Sequence, residues 1–473
     1  MAEKISFPEP DEVLTEKPSL KKYLRYLLFF GPGAIIASAT IGQGQLILGP
    51  QIGAWAGFNL LWIISLSIGS YILAYVAARF TLLSGINMVD LFAVKTKKGF
   101  LNWVFIIIIV VFLPFFAAAI ITTLGKSLEW IFGFGNYLAW GIAFSIIALA
   151  MVLAGRYKVV EHTQAFFVAV LAVGAIASII AVKPDILQIF PHFFVINIPE
   201  YPAWVPQNVK ATPVPLIMLG YMGTLTITII TFVGYSGWLK VKRWGIFKGK
   251  EDPEKFSRSM FELFEREGKI NYLPDDKNEI KKARLLLKPS LVDLSIAFVV
   301  VAVVSSAYML AGTYLLGPKH VLPSDVNLIK EQAVIFSSIA EWLVPLYKIS
   351  VFFALFGTIY AGFEAASRML YETMGAVVPK IRNVQYKKFM VILSAYLLGV
   401  GIPLALSGIS IILMLSITLL FIGVVGVIIY GIGAVYFSQK ILPPEYKMGK
   451  VGTTIAILSI LFLAFPLLLL LFI

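Results

Sequence analysis

Apolar runs about twenty residues long recur throughout this 473-residue chain, and they limit its fold more than any other feature. A helix needs about twenty residues to cross a hydrocarbon core of about 30 Å, because it rises about 1.5 Å per residue. About eleven such runs occur, at roughly 26–49, 55–79, 101–124, 137–153, 160–182, 213–238, 290–316, 346–372, 388–406, 409–437 and 451–472. They are continuous and do not alternate every second residue, which excludes a β-barrel. Only 14% of the residues are charged and mean hydropathy is +0.88, whereas a soluble protein is about a quarter charged. The expected fold class is an all-α polytopic membrane protein of about 11 transmembrane helices.

A formal charge of +13 suggests an anionic partner until its distribution is read. Of 39 Lys and Arg, 32 lie in the N-terminal tail and in alternate links between the runs, 14 of them between 239 and 289. Six lie in the opposite links or at run ends facing them, and one, Arg368, lies inside a run. Basic residues concentrate on the cytoplasmic side of membrane proteins. The asymmetry therefore predicts a multi-pass protein of the cell membrane, N-terminus cytoplasmic and C-terminus outside, with the lipid bilayer and not nucleic acid as its setting. The opening segment MAEKISFPEPDEVLTEKPSLKKY has no apolar core before a small-residue cleavage site, so a retained tail is expected. With no cysteine there are no disulfides, thiolate ligands or cysteine nucleophiles. No metal-ligand cluster, nucleophile–base pair or phosphate loop stands in the sequence, so neither an enzyme nor a cofactor is expected.

Two runs are interrupted where apolar residues would be cheaper. "ASATIGQGQLILGP" at 37–50 sets Gly42, Gln43, Gly44 and Gln45 inside the first. The sixth, "LIMLGYMGTLTITIITFVGYSGW", carries Gly220, Gly223, Thr224, Thr226, Thr228 and Thr231. The second interruption lies five runs after the first, which divides the chain into two five-span halves. An odd number of spans per half forces opposite orientations. An inverted repeat with a broken helix in corresponding positions marks a large group of secondary transporters. The expected organisation is a tail at 1–25, a first repeat at 26–182 and an ordered outer loop at 183–212. A second repeat at 213–437 holds a cytoplasmic loop at 239–289, and 438–473 supplies a linker and an eleventh span.

An unwound turn in lipid leaves amides and carbonyls unpaired unless protein, water or solute meets them. Glycine permits such a turn at positive φ. Gln43 and Gln45 each add a carbonyl acceptor and an amide donor. Thr224, Thr228 and Thr231, spaced four and three apart, share a face wherever the segment is helical. The expected substrate site is thus Gly42, Gln43, Gly44 and Gln45 opposite Thr224, Thr226, Thr228 and Thr231, a neutral hydrogen-bonding pocket at mid-membrane depth. Close packing is the alternative for the threonines, and the expectation for "GVVGVIIYGIG" at 423–433. Glu364, Arg368 and Glu372 form a ladder at intervals of four in the eighth run. Intramembrane charge makes Glu364 and Arg368 coupling candidates, while their place near the cytoplasmic end equally suits a structural pair. His162, beside Glu161, reads as an interfacial residue. The cytoplasmic loop contains "EDPEKFSRSMFELFEREGK", a helix over 253–267 with Asp252 capping, Pro253 in the first turn and Gly268 ending it. Its face of Phe256, Met260, Leu263 and Phe264 predicts packing on the bundle, with a gate or partner site as the alternative.

"GPGAIIASATIGQGQ" followed by "AGFNLLWIISLSIGSYILAYVAARFTLLSG" resembles the first two spans of the natural resistance-associated macrophage protein (NRAMP) family of metal transporters. "GRYKVVEHTQAFF" and "FALFGTIYAGFEAASRMLYE" are similar to its fifth-span entry and its eighth span. The resemblance implies the inverted-repeat fold, a solute held between the first and sixth spans, and alternating access. Metal-carrying members have Asp-Pro-Gly-Asn where this chain has Gly42, Gln43, Gly44 and Gln45. Their Met-Pro-His in the sixth span has no counterpart, the positions in question being Thr226, Ile227, Thr228 and Ile229. The soft sulfur that favours transition metals is absent there, and "IIIIVVFLPFFAAAIITTLG" in the third span lacks the acids that the resemblance assigns to a proton path. Gln43 and Gln45 remain as carbonyl ligands for a hard or partly hydrated metal cation. The expected function is a secondary transporter of such a cation. A neutral or zwitterionic organic solute, or a transport-dead scaffold or sensor using the cytoplasmic loop, are the alternatives.

Overall fold

Glycine contacts decide how the spans meet, since lipid supplies no hydrophobic drive between helices and close packing must hold them. The computed structural model describes residues 4–154, 183–323 and 327–469, with scattered positions between 166 and 182; for Gly42 and Gln43 it describes the backbone alone. Among the described residues all regular structure is helical, and nine helices are long and apolar enough to cross a membrane. The first span adds a tenth, its halves Pro32–Thr40 and Gly49–Ala56 each too short to count alone. The expected fifth span at 160–182, with His162 and Glu161, lies largely outside the described residues.

The second, third and fourth spans are Trp62–Ser84, Phe100–Phe132 and Tyr137–Ala154. The sixth is split into Val214–Leu225 and Ile229–Val241. The seventh to ninth are Lys288–Ala311, Val344–Val377 and Tyr386–Leu406. The tenth runs through Ile411–Leu419 and Gly426–Ile441, and the eleventh is Lys450–Leu469. The second span starts later than the apolar run at 55–79 because Gly57, at φ 62°, ends the first helix and an apolar turn follows. The third and eighth outlast their runs because helix continues through polar positions such as Lys126 and Glu129.

First and seventh spans touch reciprocally: a Cβ on Gly53 would overlap the Met309 carbonyl, and one on Gly312 the Pro50 carbonyl. Gly125 and Gly141 bring the third and fourth together in the same way. The segment 423–433 is packing as expected, with Gly423 against Gly223, Gly431 against Leu73 and Gly433 against Phe92.

The N-terminal tail and the Lys- and Arg-rich links after the second, sixth, eighth and tenth spans meet on one face, the basic face. The loop helix Pro253–Glu267 lies on it, with Asp252 accepting from the Lys255 amide at 2.9 Å and Gly268 closing it at φ 71°. Phe264 is fully buried, and Ser257 Oγ donates to the Gly85 carbonyl at 2.6 Å. The N-terminal tail is pinned alongside: the Ile5 amide donates to Tyr272, and the Phe7 amide to Glu279 at 2.6 Å. On the opposite face the loop at 183–212 is an ordered cap. Tyr201 rests on Trp55 with ring centroids 4.6 Å apart, and Trp62 Nε1 donates to the Asn197 carbonyl at 3.0 Å.

Candidate functional site

The first-span break is a wide turn and not an unwound strand. Ile41–Gln45 adopts a π-type turn in which the Leu46 amide reaches the Ile41 carbonyl at 3.4 Å. Gly44 has no positive φ, so the turn does not call on the conformational freedom expected of its glycine. It is needed for proximity: a Cβ there would overlap the Thr224 side chain of the sixth span. Gln45, fully buried, completes the contact. Its Oε1 accepts from Tyr221 Oη at 3.1 Å and its Nε2 donates to Thr224 Oγ1 at 3.3 Å.

The sixth-span break is a true interruption. Thr226 and Thr228 are extended, at ψ 155° and 161°, and Ile227 lies between them. Neighbouring spans hold the link in place. The Ile227 amide donates to Ser70 Oγ at 3.0 Å, and Thr226 Oγ1 donates to the Gly423 carbonyl at 2.6 Å. Thr228 caps the second half, its hydroxyl 3.2 Å from that of Thr231. The threonines therefore divide, because the extended link turns the two halves apart. Thr224 meets Gln45, Thr226 faces the tenth span, and Thr228 and Thr231 face a cavity. The side chain of Gln43 lies outside the described residues.

That cavity, of about 70 Å³, lies between the first, third, sixth and eighth spans. It has room for a handful of water molecules. Its hydroxyls are those of Thr40, Thr228, Thr231 and Thr358, and Ile35, Phe116 and Phe363 are among its apolar walls. Gln45 is not on the lining. Among the described residues no Asp, Glu, His or Met lines it, and no group of three His, Cys, Asp or Glu is placed to hold a metal. Thr40 and Thr358 escape the sequence reading because single threonines in apolar helices look like packing.

Asp293 is a further residue that sequence reasoning missed. It is fully buried in the seventh span and holds the start of the first. Its Oδ1 accepts from the amides of Gly31 at 2.8 Å and Gly33 at 3.0 Å. Its Oδ2 accepts from Tyr235 Oη of the sixth span, also at 2.8 Å. The carboxylate caps a helix N-terminus, where the amides have no intrahelical partner and the dipole favours negative charge. A Cβ on Gly33 would come within 2.7 Å of it, which explains "GPG" at the start of the span. One side chain thus joins the first, sixth and seventh spans.

A second cavity, of about 320 Å³, opens on the basic face below the sixth and eighth spans. Lys240 Nζ lies 2.6 Å from Glu254 of the loop helix, and Arg368 lies 3.9 Å from Glu254 and 2.9 Å from Glu364. The expected ladder is half formed, because Glu372 instead accepts from Asn87 Nδ2 at 3.2 Å. Arg382 reaches Asp90 at 3.1 Å. Burial pushes the Asp90 carboxyl up from its ordinary value, while Arg382 pulls it back. Glu254 therefore ties the loop helix to the second half of the broken sixth span and to the eighth.

Two broken helices five spans apart, meeting over a central cavity, are the architecture of inverted-repeat secondary transporters. Solved structures share it. A mutant manganese transporter of Eremococcus coleocola matches with TM-score 0.65 at 13% identity, over 95% of this chain and 87% of that one. MhsT in complex with L-phenylalanine matches at 0.52 and 16% identity, over 92% and 97%. A nucleobase-cation-symport-1 family transporter matches at 0.52 and 13%, over 93% and 90%. The profile of the natural resistance-associated macrophage protein-like family matches residues 33–472, and the chain belongs to that family. A curated relative, the divalent metal cation transporter MntH of Latilactobacillus sakei subsp. sakei (strain 23K), is 26% identical over 173 residues. That match takes in 35% of this chain and only 37% of the relative's length.

Proposed function

We propose that this protein carries a divalent metal cation across the cell membrane by alternating access, with the ion keeping much of its water shell. The observation that supports this is the lining of the central cavity: hydroxyl oxygens contributed from both sides of the interface between the first and sixth spans, and no charged group among the described residues. Full dehydration of a divalent ion needs compensation that neutral hydroxyls do not supply. Contacts through bound water lose little, and hard cations accept oxygen ligands. The chain's likeness to a manganese transporter and to a divalent metal cation transporter supports this reading. In this reading Gly44, Gln45, Thr224 and Thr226 frame the cavity and set the spacing of the two breaks. The basic face is cytoplasmic by the charge rule, which puts the C-terminus outside.

Because the chain has no cysteine, Ala39→Cys places a single thiol on the cavity wall. Manganese at ten times its dissociation constant is expected to slow modification of that thiol about tenfold, by occupancy. An unchanged rate at saturating manganese would remove the cavity as the ion site. Adding Glu254→Gln unties the loop helix and is expected to raise modification from the basic face about threefold, a modest factor because Glu254 is 55% exposed. No change in that rate would mean that the tie does not restrain opening.

A further inference from the structure

A groove of about 730 Å³ runs up the side of the bundle between the second, seventh and eleventh spans, separate from the central cavity. Its walls are apolar: Ile68 and Ile72 from the second span, Leu291 and Phe298 from the seventh, and Ile455 from the eleventh. Ile68, Leu291 and Ile455 are 39%, 45% and 44% exposed, so the groove opens sideways onto lipid. Gly449 and Gly452 keep the eleventh span thin where it begins, and a Cβ on Gly452 would meet only Met448, at 3.6 Å.

At the basic face the groove ends on three cations, Arg79, Arg284 and Lys447. Arg79 donates to the Tyr446 carbonyl. Among the described residues, Arg284 and Lys447 have neither a carboxylate partner nor a side-chain hydrogen bond. Of the neighbouring acids, Asp275 pairs with Lys4, Glu279 with Lys282 and the Phe7 amide, and Asp276 caps a helix, while Glu445 stands two residues before Lys447. From Arg79 up to Ile68 the helix climbs about 16 Å, half of a hydrocarbon core of about 30 Å. The groove is therefore one leaflet deep, with positive charge at headgroup level.

We propose that it binds one anionic phospholipid of the leaflet on the basic face, the acyl chain along the apolar wall and the phosphate among Arg79, Arg284 and Lys447. Basic pockets between spans recognise anionic headgroups through such charge complementarity, and the apolar wall selects a lipid over a free anion. The site stands whatever ion the central cavity carries.

Native mass spectrometry of the full chain in detergent tests this, with dioleoyl phosphatidylglycerol, dioleoyl phosphatidylcholine and inorganic phosphate as probes. Phosphatidylglycerol is expected to bind more tightly than phosphatidylcholine. Arg284→Ala with Lys447→Ala should weaken the anionic lipid about thirtyfold and the zwitterionic one little. Gly452→Leu fills the apolar part, leaves the cations in place, and should abolish binding of both lipids. Circular dichroism and gel filtration establish that each variant is folded. Equal affinity for the two lipids in the wild type, or undiminished phosphatidylglycerol binding in either variant, would overturn the proposal. So would displacement of the lipid by millimolar inorganic phosphate, which would assign the cations to a small anion.

Discussion

Asp293→Ala is expected to lower the melting temperature of the purified protein by roughly 5–10 °C and to cut expression sharply. The carboxylate is fully buried and accepts from the Gly31 and Gly33 amides and from Tyr235 Oη. Alanine strands both amides at the start of the first span, where no water reaches them, at about 1–3 kcal/mol each. Tyr235 keeps a fallback in Ser290 Oγ, 3.1 Å away, so the amides carry most of the loss. Asp293→Asn retains one acceptor oxygen and should lose about half as much. Fluorescence-detected thermal unfolding in detergent reads both variants. A wild-type melt for Asp293→Ala would show that the three-span junction does not hold the first span in place.

Gly44→Ala is the second large effect expected, a loss of about 1–3 kcal/mol from overpacking. Its added Cβ would overlap the Cβ and Oγ1 of Thr224, and Thr224 is β-branched on a packed helix with no rotamer that clears the space. The overlap includes the Thr224 Cβ itself, so Thr224→Ala should not help. Thr224→Gly should restore much of the stability lost, although it removes the Gln45 hydrogen bond. Denaturation of the two single variants and the double forms a double-mutant cycle. Additive losses would mean that the spans do not meet at this pair.

The topology was legible because membrane spans write themselves as long apolar runs, and the loop helix because its signals are local. Asp252, Pro253 and Gly268 do in the structure what their positions predict. Both breaks were legible too, since glutamine and threonine clusters are costly in lipid. What the sequence could not reveal was direction. Whether Thr224 and Thr228 face one pocket depends on the extended link at 226–228, and that link depends on Ser70 and Gly423 from distant spans. Gln45 was found as a polar oddity, but its partner Tyr221 is visible only in three dimensions. Asp293 was hidden by its place a few positions inside a span end, where a charge is ordinary. The charged cavity on the basic face draws Asp90, Lys240, Glu254 and Arg368 from four separate segments, so no window of sequence contains it.

The central claim is that a carboxylate-free cavity carries a divalent cation, and the most direct measurement is ion influx. Purified protein in liposomes, with a divalent-sensitive dye inside and a defined membrane potential, would be offered manganese and magnesium separately. Saturable influx of at least one ion is expected. Thr231→Val with Thr358→Val, which removes two cavity hydroxyls while nearly conserving shape, should slow it about tenfold or more. No influx of either ion from demonstrably folded protein, or influx that the double variant leaves untouched, would contradict the account.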